Sequence, residues 1–103
     1  MWDKRYAEPG FLFGTLPAVF LSREAGVLPL GARVLCLADG EGRNSVYLAG
    51  LGHRVTAMEA SGVAIAKAQD LAAGRGVTVE FRQSAIEDWD WRQSFDAVVG
   101  VFI

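Results

Sequence analysis

The chain is poor in the residues that build metal sites and covalent staples: in 103 residues there is one cysteine, Cys36, and one histidine, His53. A single cysteine cannot close an internal disulfide, and the default setting for such a chain is reducing and cytoplasmic. One Cys and one His cannot fill a tetrahedral site, so no metal is expected. No apolar run is long enough to span a bilayer, and no signal-peptide core stands behind the charged start Met1-Trp2-Asp3-Lys4-Arg5-Tyr6. The net charge of -2 lacks the concentrated basic face that nucleic acid requires. Neither a nucleic acid nor a membrane is therefore expected as a partner. Repeats, low-complexity tracts and linkers are missing too. The length suits one domain with a modest core, and the 51% hydrophobic content is slightly above the usual range.

What is present is an alternation of apolar runs with helical patterns. Arg33-Val34-Leu35-Cys36-Leu37 reads as a strand without polar alternation, the pattern of a strand buried on both faces in a parallel sheet. Asn44 to Leu51 reads as a helix, with Gly52 as its left-handed stop. Arg54 to Met58 is a second strand. Ser61 caps a second helix on which Ala64, Ala68, Leu71 and Ala72 share a face, and Gly74 and Gly76 end it. Val77 to Phe81 reads as a third strand and Phe95 to Phe102 as a fourth. Upstream, the aromatic residues 1–16 are broken by Gly10 and Gly14. Pro17 opens a short helix over Ala18 to Leu21, ended by Gly26 and Pro29-Leu30-Gly31. The expectation is a single α/β domain over 1–103, a Rossmann-like parallel sheet flanked by helices. Residues 1–30 form an N-terminal cover and helix, and 31–103 a β-α-β-α-β-β core.

In such sheets ligands bind beyond the carboxyl ends of the strands, and there the first strand runs into Ala38-Asp39-Gly40-Glu41-Gly42-Arg43-Asn44-Ser45. Gly40 and Gly42 permit unusual dihedrals and close approach of backbone to a ligand, and the free amides of the following helix favour an anion. Glycines in a tight strand-to-helix turn are weak evidence alone. Glu59, at the end of the second strand, strengthens it: that is where an acidic side chain accepts both hydroxyls of a ribose. Loop and acid together point to an adenosine-containing ligand. Asp39 and Glu41 within the loop would repel a pyrophosphate but suit a sulfonium and an ammonium, which favours S-adenosylmethionine over a dinucleotide.

These residues resemble the class I S-adenosylmethionine-dependent methyltransferases, and within them the small tellurite-resistance and thiopurine type. "WDKRYAEPGFLFGTLPAVFL" is similar to that group's lead-in, and "VLCLADGEGRNSVYLAGLGHRVTAMEAS" to its glycine loop, first helix, second strand and acidic end. "SAIEDWDW" and "FDAVVGVFI" look like its two later cofactor motifs. The resemblance implies methyl transfer from S-adenosyl-L-methionine to a small-molecule acceptor. It also implies that Ala38, Asp39, Gly40 and Gly42 line the methionine part, that Glu59 binds the ribose and that Ala60 lies beside the adenine. Ala85 and Ile86 would face the adenine edge, Gly100 and Val101 would approach the ammonium, and Trp2, Tyr6 and Phe13 would fold over the whole.

Against the family pattern, Cys36 stands where the strand usually carries an acid, Ala38 replaces the first glycine of the loop, and Ala85 replaces an aspartate. Each of these changes points to weaker cofactor binding. The family fold has seven strands, and this chain is truncated after about the fourth, so the acceptor pocket is largely absent. The apolar run Val98 to Ile103 becomes a sheet edge that invites another chain, and a homo-oligomer through that edge is expected. A noncatalytic cofactor-binding or assembly module is the alternative, with a nicotinamide-dependent oxidoreductase third. No catalytic residue is named. Cys36 reads as an inert core thiol and His53 as a surface residue. Arg43 reads as solvated, or else as a partner for a ligand carboxylate. Trp89 and Trp91 fit either a core anchor or an adenine wall.

Overall fold

A computed structural model describes residues 3, 4, 7, 10 and 28–100 of the chain. Its sheet is built from β1 (Arg33–Leu37), β2 (Arg54–Glu59), β3 (Glu80–Gln83) and β4 (Ala97–Gly100). All neighbouring strands are parallel, in the order β3-β2-β1-β4. Helix α1 (Arg43–Gly50) joins β1 to β2, and α2 (Gly62–Gly74) joins β2 to β3. A single 3-10 turn, Ile86–Asp88, lies between β3 and β4. This is the Rossmann-like arrangement expected, and strand order reverses at β1. Among the described residues no helix is long and apolar enough to cross a membrane.

Both helices stop by the same device. At the end of α1, Gly52 takes φ 94° and its N–H donates to the Ala49 carbonyl, while the His53 N–H donates to Leu48. At the end of α2, Gly76 takes φ 66° and bonds Ala73, while the Val77 N–H bonds Ala72. These paired bonds across a left-handed glycine form a Schellman motif, which satisfies carbonyls that the helix leaves open. The motif also corrects the expected third strand. With the Val77 amide committed to the helix end, the ladder begins at Glu80 rather than Val77 and runs on to Gln83. β4 starts at Ala97 rather than at Phe95. The end of the expected strand, Val101 to Ile103, lies outside the described residues, as do the expected N-terminal helix over Ala18 to Leu21 and the covering residues Trp2, Tyr6 and Phe13.

The parallel register sorts side chains to two faces. Val34, Cys36, Val55 and Ala57 pack with Ala32 and with Leu48 of α1 on one face. Leu35 and Met58 pack with Trp89 on the other. Leu48 and Val34 are completely buried, each worth roughly 2 kcal/mol of transfer free energy. The α2 helix turns Ala64, Ile65, Ala68 and Ala72 inward. Its small residues let it approach α1 closely.

His53 is a second correction. It is buried, not at the surface, and its Nδ1 accepts a hydrogen bond from the Ala32 N–H at 3.1 Å. The neighbouring Arg54 N–H donates to the Ala32 carbonyl at 2.9 Å. The ring therefore ties the α1–β2 turn to the residue that leads into β1.

Candidate functional site at the carboxyl edge of the sheet

The turn after β1 is held in shape by its own side chains. Ala38, Gly40 and Gly42 all have positive φ, at 48°, 66° and 94°. The Asp39 N–H reaches across to the Met58 carbonyl at 3.1 Å, which carries the cross-strand bonding two residues past β1. Gly42 occupies the N-cap of α1 but has no side chain with which to cap it. Asp39 does the capping from upstream. Its Oδ1 accepts from the Ser45 N–H at 3.2 Å and its Oδ2 from the Ser45 hydroxyl at 2.7 Å. Burial pushes the Asp39 carboxyl up to about 7. The two Ser45 bonds oppose that rise and the nearby Glu59 charge adds to it.

Gly42 also sets the distance between the two helices. A β-carbon on Gly42 would stand 2.7 Å from the Ala68 Cβ and 3.1 Å from the Ala68 Cα. Glu41, next to it, is directed to α2, where its Oε2 lies 3.1 Å from Lys67 Nζ. The two loop acids therefore do not act as one negative patch. Asp39 caps α1 and Glu41 is ion-paired, which weakens the expected repulsion of a pyrophosphate.

Glu59 is the centre of the arrangement. Its Oε1 accepts from the Gly40 N–H at 2.8 Å and its Oε2 from the Ser61 N–H at 2.9 Å. The carboxylate thus bridges the glycine turn after β1 and the start of α2, and it is buried. Each oxygen keeps a further lone pair for another donor. Ser61 is the N-cap of α2, its Oγ accepting from the Ala64 N–H at 3.1 Å. That hydroxyl also donates to the Asp3 carboxylate.

The remaining predicted residues fall along the same edge. Ala60 is exposed, and its carbonyl accepts from the Gln83 side chain at 3.2 Å. The Glu59 carbonyl accepts from the Ser84 N–H at 3.0 Å, which brings the turn carrying Ala85 and Ile86 beside it. Ala85 caps the 3-10 turn and Ile86 is 41% exposed. Gly100 pairs with Leu37 on the far side of β1. Tyr6 and Val101 lie outside the described residues. The fold thus brings Ala38, Asp39, Gly40, Gly42, Glu59, Ala60, Ala85, Ile86 and Gly100 to one end of the sheet.

The two tryptophans left open by the sequence divide. Trp89 is buried against Leu35 and Met58, whereas Trp91 is 55% exposed. Cys36 is buried, and burial with the Asp39 charge pushes its thiol well up, so it is not a nucleophile. Arg43 is half-buried rather than solvated. Sequence reasoning missed Ser45, Lys67 and Asp3. Ser45 closes the run from Ala38 that follows the first strand, and a hydroxyl there was a readable signal for a partner within the loop. Among the described residues no group of His, Cys, Asp and Glu side chains could hold a metal ion.

Comparison with known proteins gives the family and agrees with the fold. Residues 34–103 match the family model described as a methyltransferase domain, and the chain belongs to that family. Among solved structures, one from work on the conversion of a disulfide bond into a thioacetal group during echinomycin biosynthesis is 34% identical, with a TM-score of 0.71. The match covers 82% of this chain and 35% of that one. TehB from Haemophilus influenzae is 24% identical with a TM-score of 0.74, over 81% of this chain and 29% of its own. A methyltransferase from Geobacter sulfurreducens, solved in complex with S-adenosyl-L-homocysteine, is 21% identical with a TM-score of 0.77. That match covers 97% of this chain and 42% of the other. No curated protein matches. The chain spans about a third of the length of the first solved structures it resembles.

Proposed function

We propose that this chain supplies the cofactor-binding part of an S-adenosylmethionine-dependent methyltransferase acting on a small-molecule acceptor. Glu59 carries this conclusion. Its carboxylate is fixed by two backbone amides, one from the positive-φ turn and one from the next helix, and retains lone pairs suited to the paired hydroxyls of a ribose. In this assignment Ala38, Asp39, Gly40 and Gly42 line the methionine part, Ala60, Ala85 and Ile86 flank the adenine, and Gly100 and Val101 approach the ammonium. Tyr6 covers the ligand. The cofactor, when bound, supplies a methyl group already activated by its sulfonium. The protein's contribution is then position and exclusion of water. The bound S-adenosyl-L-homocysteine of the Geobacter relative supports the ligand class, and the low net charge supports a small acceptor rather than a nucleic acid. A single buried thiol is in keeping with a cytoplasmic setting.

Calorimetric titration with S-adenosylmethionine tests the assignment. Micromolar binding is expected, with Glu59→Ala weakening it at least tenfold, about 1.4 kcal/mol. Binding of NAD in place of S-adenosylmethionine would replace the methyltransferase with the nicotinamide-dependent enzyme.

A second reading, assembly through β4, rests on a separate observation. Among the described residues β4 is an edge strand, and Val98 on it is 53% exposed. An apolar edge of this kind pairs readily with another strand. Sedimentation velocity at micromolar concentration is expected to give a dimer or larger species. A clean monomer would remove this second reading.

A further inference from the structure

Asp3 stands far from the glycine turn in sequence, yet it is joined to Glu59 through one residue. The Ser61 hydroxyl has a single proton and is already an acceptor for the Ala64 N–H at the start of α2. Its proton goes to the Asp3 Oδ1. The same residue's N–H goes to Glu59 Oε2 at 2.9 Å. A second tie lies further along α2, where Lys67 Nζ donates to the Gly10 carbonyl while facing Glu41 at 3.1 Å. Residues 3 and 10 are thus fastened to the helix that presents Ser61, and the turn residues Gly40 and Glu41 are fastened to the same unit. A carboxylate at the first turn of α2 is also favoured by the helix dipole.

We propose that Asp3 is a positioning residue for the cofactor-binding carboxylate. By taking the Ser61 proton it keeps that hydroxyl from turning to Glu59 and holds the Ser61 amide in register with Oε2. The free lone pairs of Glu59 are then left for a ligand. Asp3 need not touch the ligand, and through Ser61 it and Glu59 become one unit. This deepens the function proposed above and rests on it for the ligand, but the clasp itself can be read without ligand.

The test uses the full chain and the variants Asp3→Ala and Asp3→Asn. Asparagine keeps an acceptor oxygen for Ser61 and alanine does not. Amide hydrogen exchange is followed at Gly40 and Ser61, the two donors to Glu59, with Leu35 and Cys36 in β1 as references for global opening. Asp3→Ala is expected to speed exchange at Ser61 and Gly40 about fivefold, the scale of one partly exposed hydrogen bond to a charged group. The β1 amides should be unchanged, and Asp3→Asn should restore protection. S-adenosylmethionine affinity should fall by a similar factor in Asp3→Ala and stay within about twofold in Asp3→Asn. Unchanged exchange at Ser61 in Asp3→Ala overturns the proposal, and so does an equal loss at β1, which would make Asp3 merely structural. If the unmodified chain binds no S-adenosylmethionine, the functional assignment fails, while the exchange result still decides the role of Asp3.

Discussion

Gly42→Ala is expected to lower the unfolding free energy by about 3 kcal/mol, with contributions of roughly 1–2 kcal/mol from backbone and 1–3 from packing. The backbone part arises because Gly42 sits at φ 94°, where a β-carbon meets the following carbonyl. The packing part arises because the new methyl would lie 2.7 Å from the Ala68 Cβ and 3.1 Å from the Ala68 Cα, and the latter is backbone that cannot swing away. Gly52 supplies the control. It has the same φ of 94°, but a β-carbon there meets nothing within 4 Å. Gly52→Ala should therefore cost only the backbone part, about 1 kcal/mol. Urea unfolding followed by circular dichroism measures both. Equal losses at the two positions would show that α1 and α2 are not in steric contact at Gly42.

The second large effect is a pH dependence of stability centred on Asp39. Burial raises its folded pKa from 3.8 to about 7. Between those values the folded chain holds a proton that the unfolded chain has released. The slope of stability against pH is set by the protons bound unfolded minus those bound folded, so it is negative in this window. Stability is highest on the acid side and falls as pH rises from about 4 to about 7, with a limit of about 1.4 kcal/mol per pH unit. Above about 7 both states are ionised and this dependence ends. The charged and titratable groups bearing on Asp39 are Glu59 and Cys36. Asp39→Asn removes the titration while leaving an acceptor for the Ser45 amide. Urea midpoints at pH 5, 6, 7 and 8 should decline towards pH 7 and then level off for the unmodified chain, with a much flatter profile for Asp39→Asn. A variant whose decline matches that of the unmodified chain would place the titrating group elsewhere.

The elements that rest on local periodicity were legible in the sequence. The apolar run Val34 to Leu37, the small-residue face of α2 and the glycine stop after α1 each follow from spacing alone. The place of Glu59 was legible as well, as the acid that closes the second strand. What could not be read depends on partners distant in sequence. His53 follows a glycine stop and looks like surface, but its ring meets the Ala32 amide from the preceding segment. Asp39 and Glu41 lie two residues apart and read as one acidic loop, yet one turns in to Ser45 and the other out to Lys67. Val77 belongs by composition to a strand and by hydrogen bonding to the end of a helix. Trp89 and Trp91 are alike in sequence context, yet Trp89 directly follows the 3-10 turn and packs on Leu35 and Met58, whereas Trp91 is exposed.

The strand order has a consequence for how the chain acquires its shape. β1 gains β2 on one side after a short loop and helix, but on the other side it waits for β4, a pairing opened by the bond between the Arg33 amide and Asp96 across 63 residues. Closing a long loop costs entropy before its contacts repay it, so pairings of this separation form late. On a ribosome, β1, α1, β2, α2 and β3 can assemble while one flank of β1 is still bare. The turn at Ala38 to Gly42 hangs from that same strand, and Gly100 arrives beside it with this pairing, opposite Leu37. The carboxyl edge of β1 is therefore flanked on both sides only once this pairing has formed, and a nascent chain that stalls before β4 exposes the strand on which the turn depends.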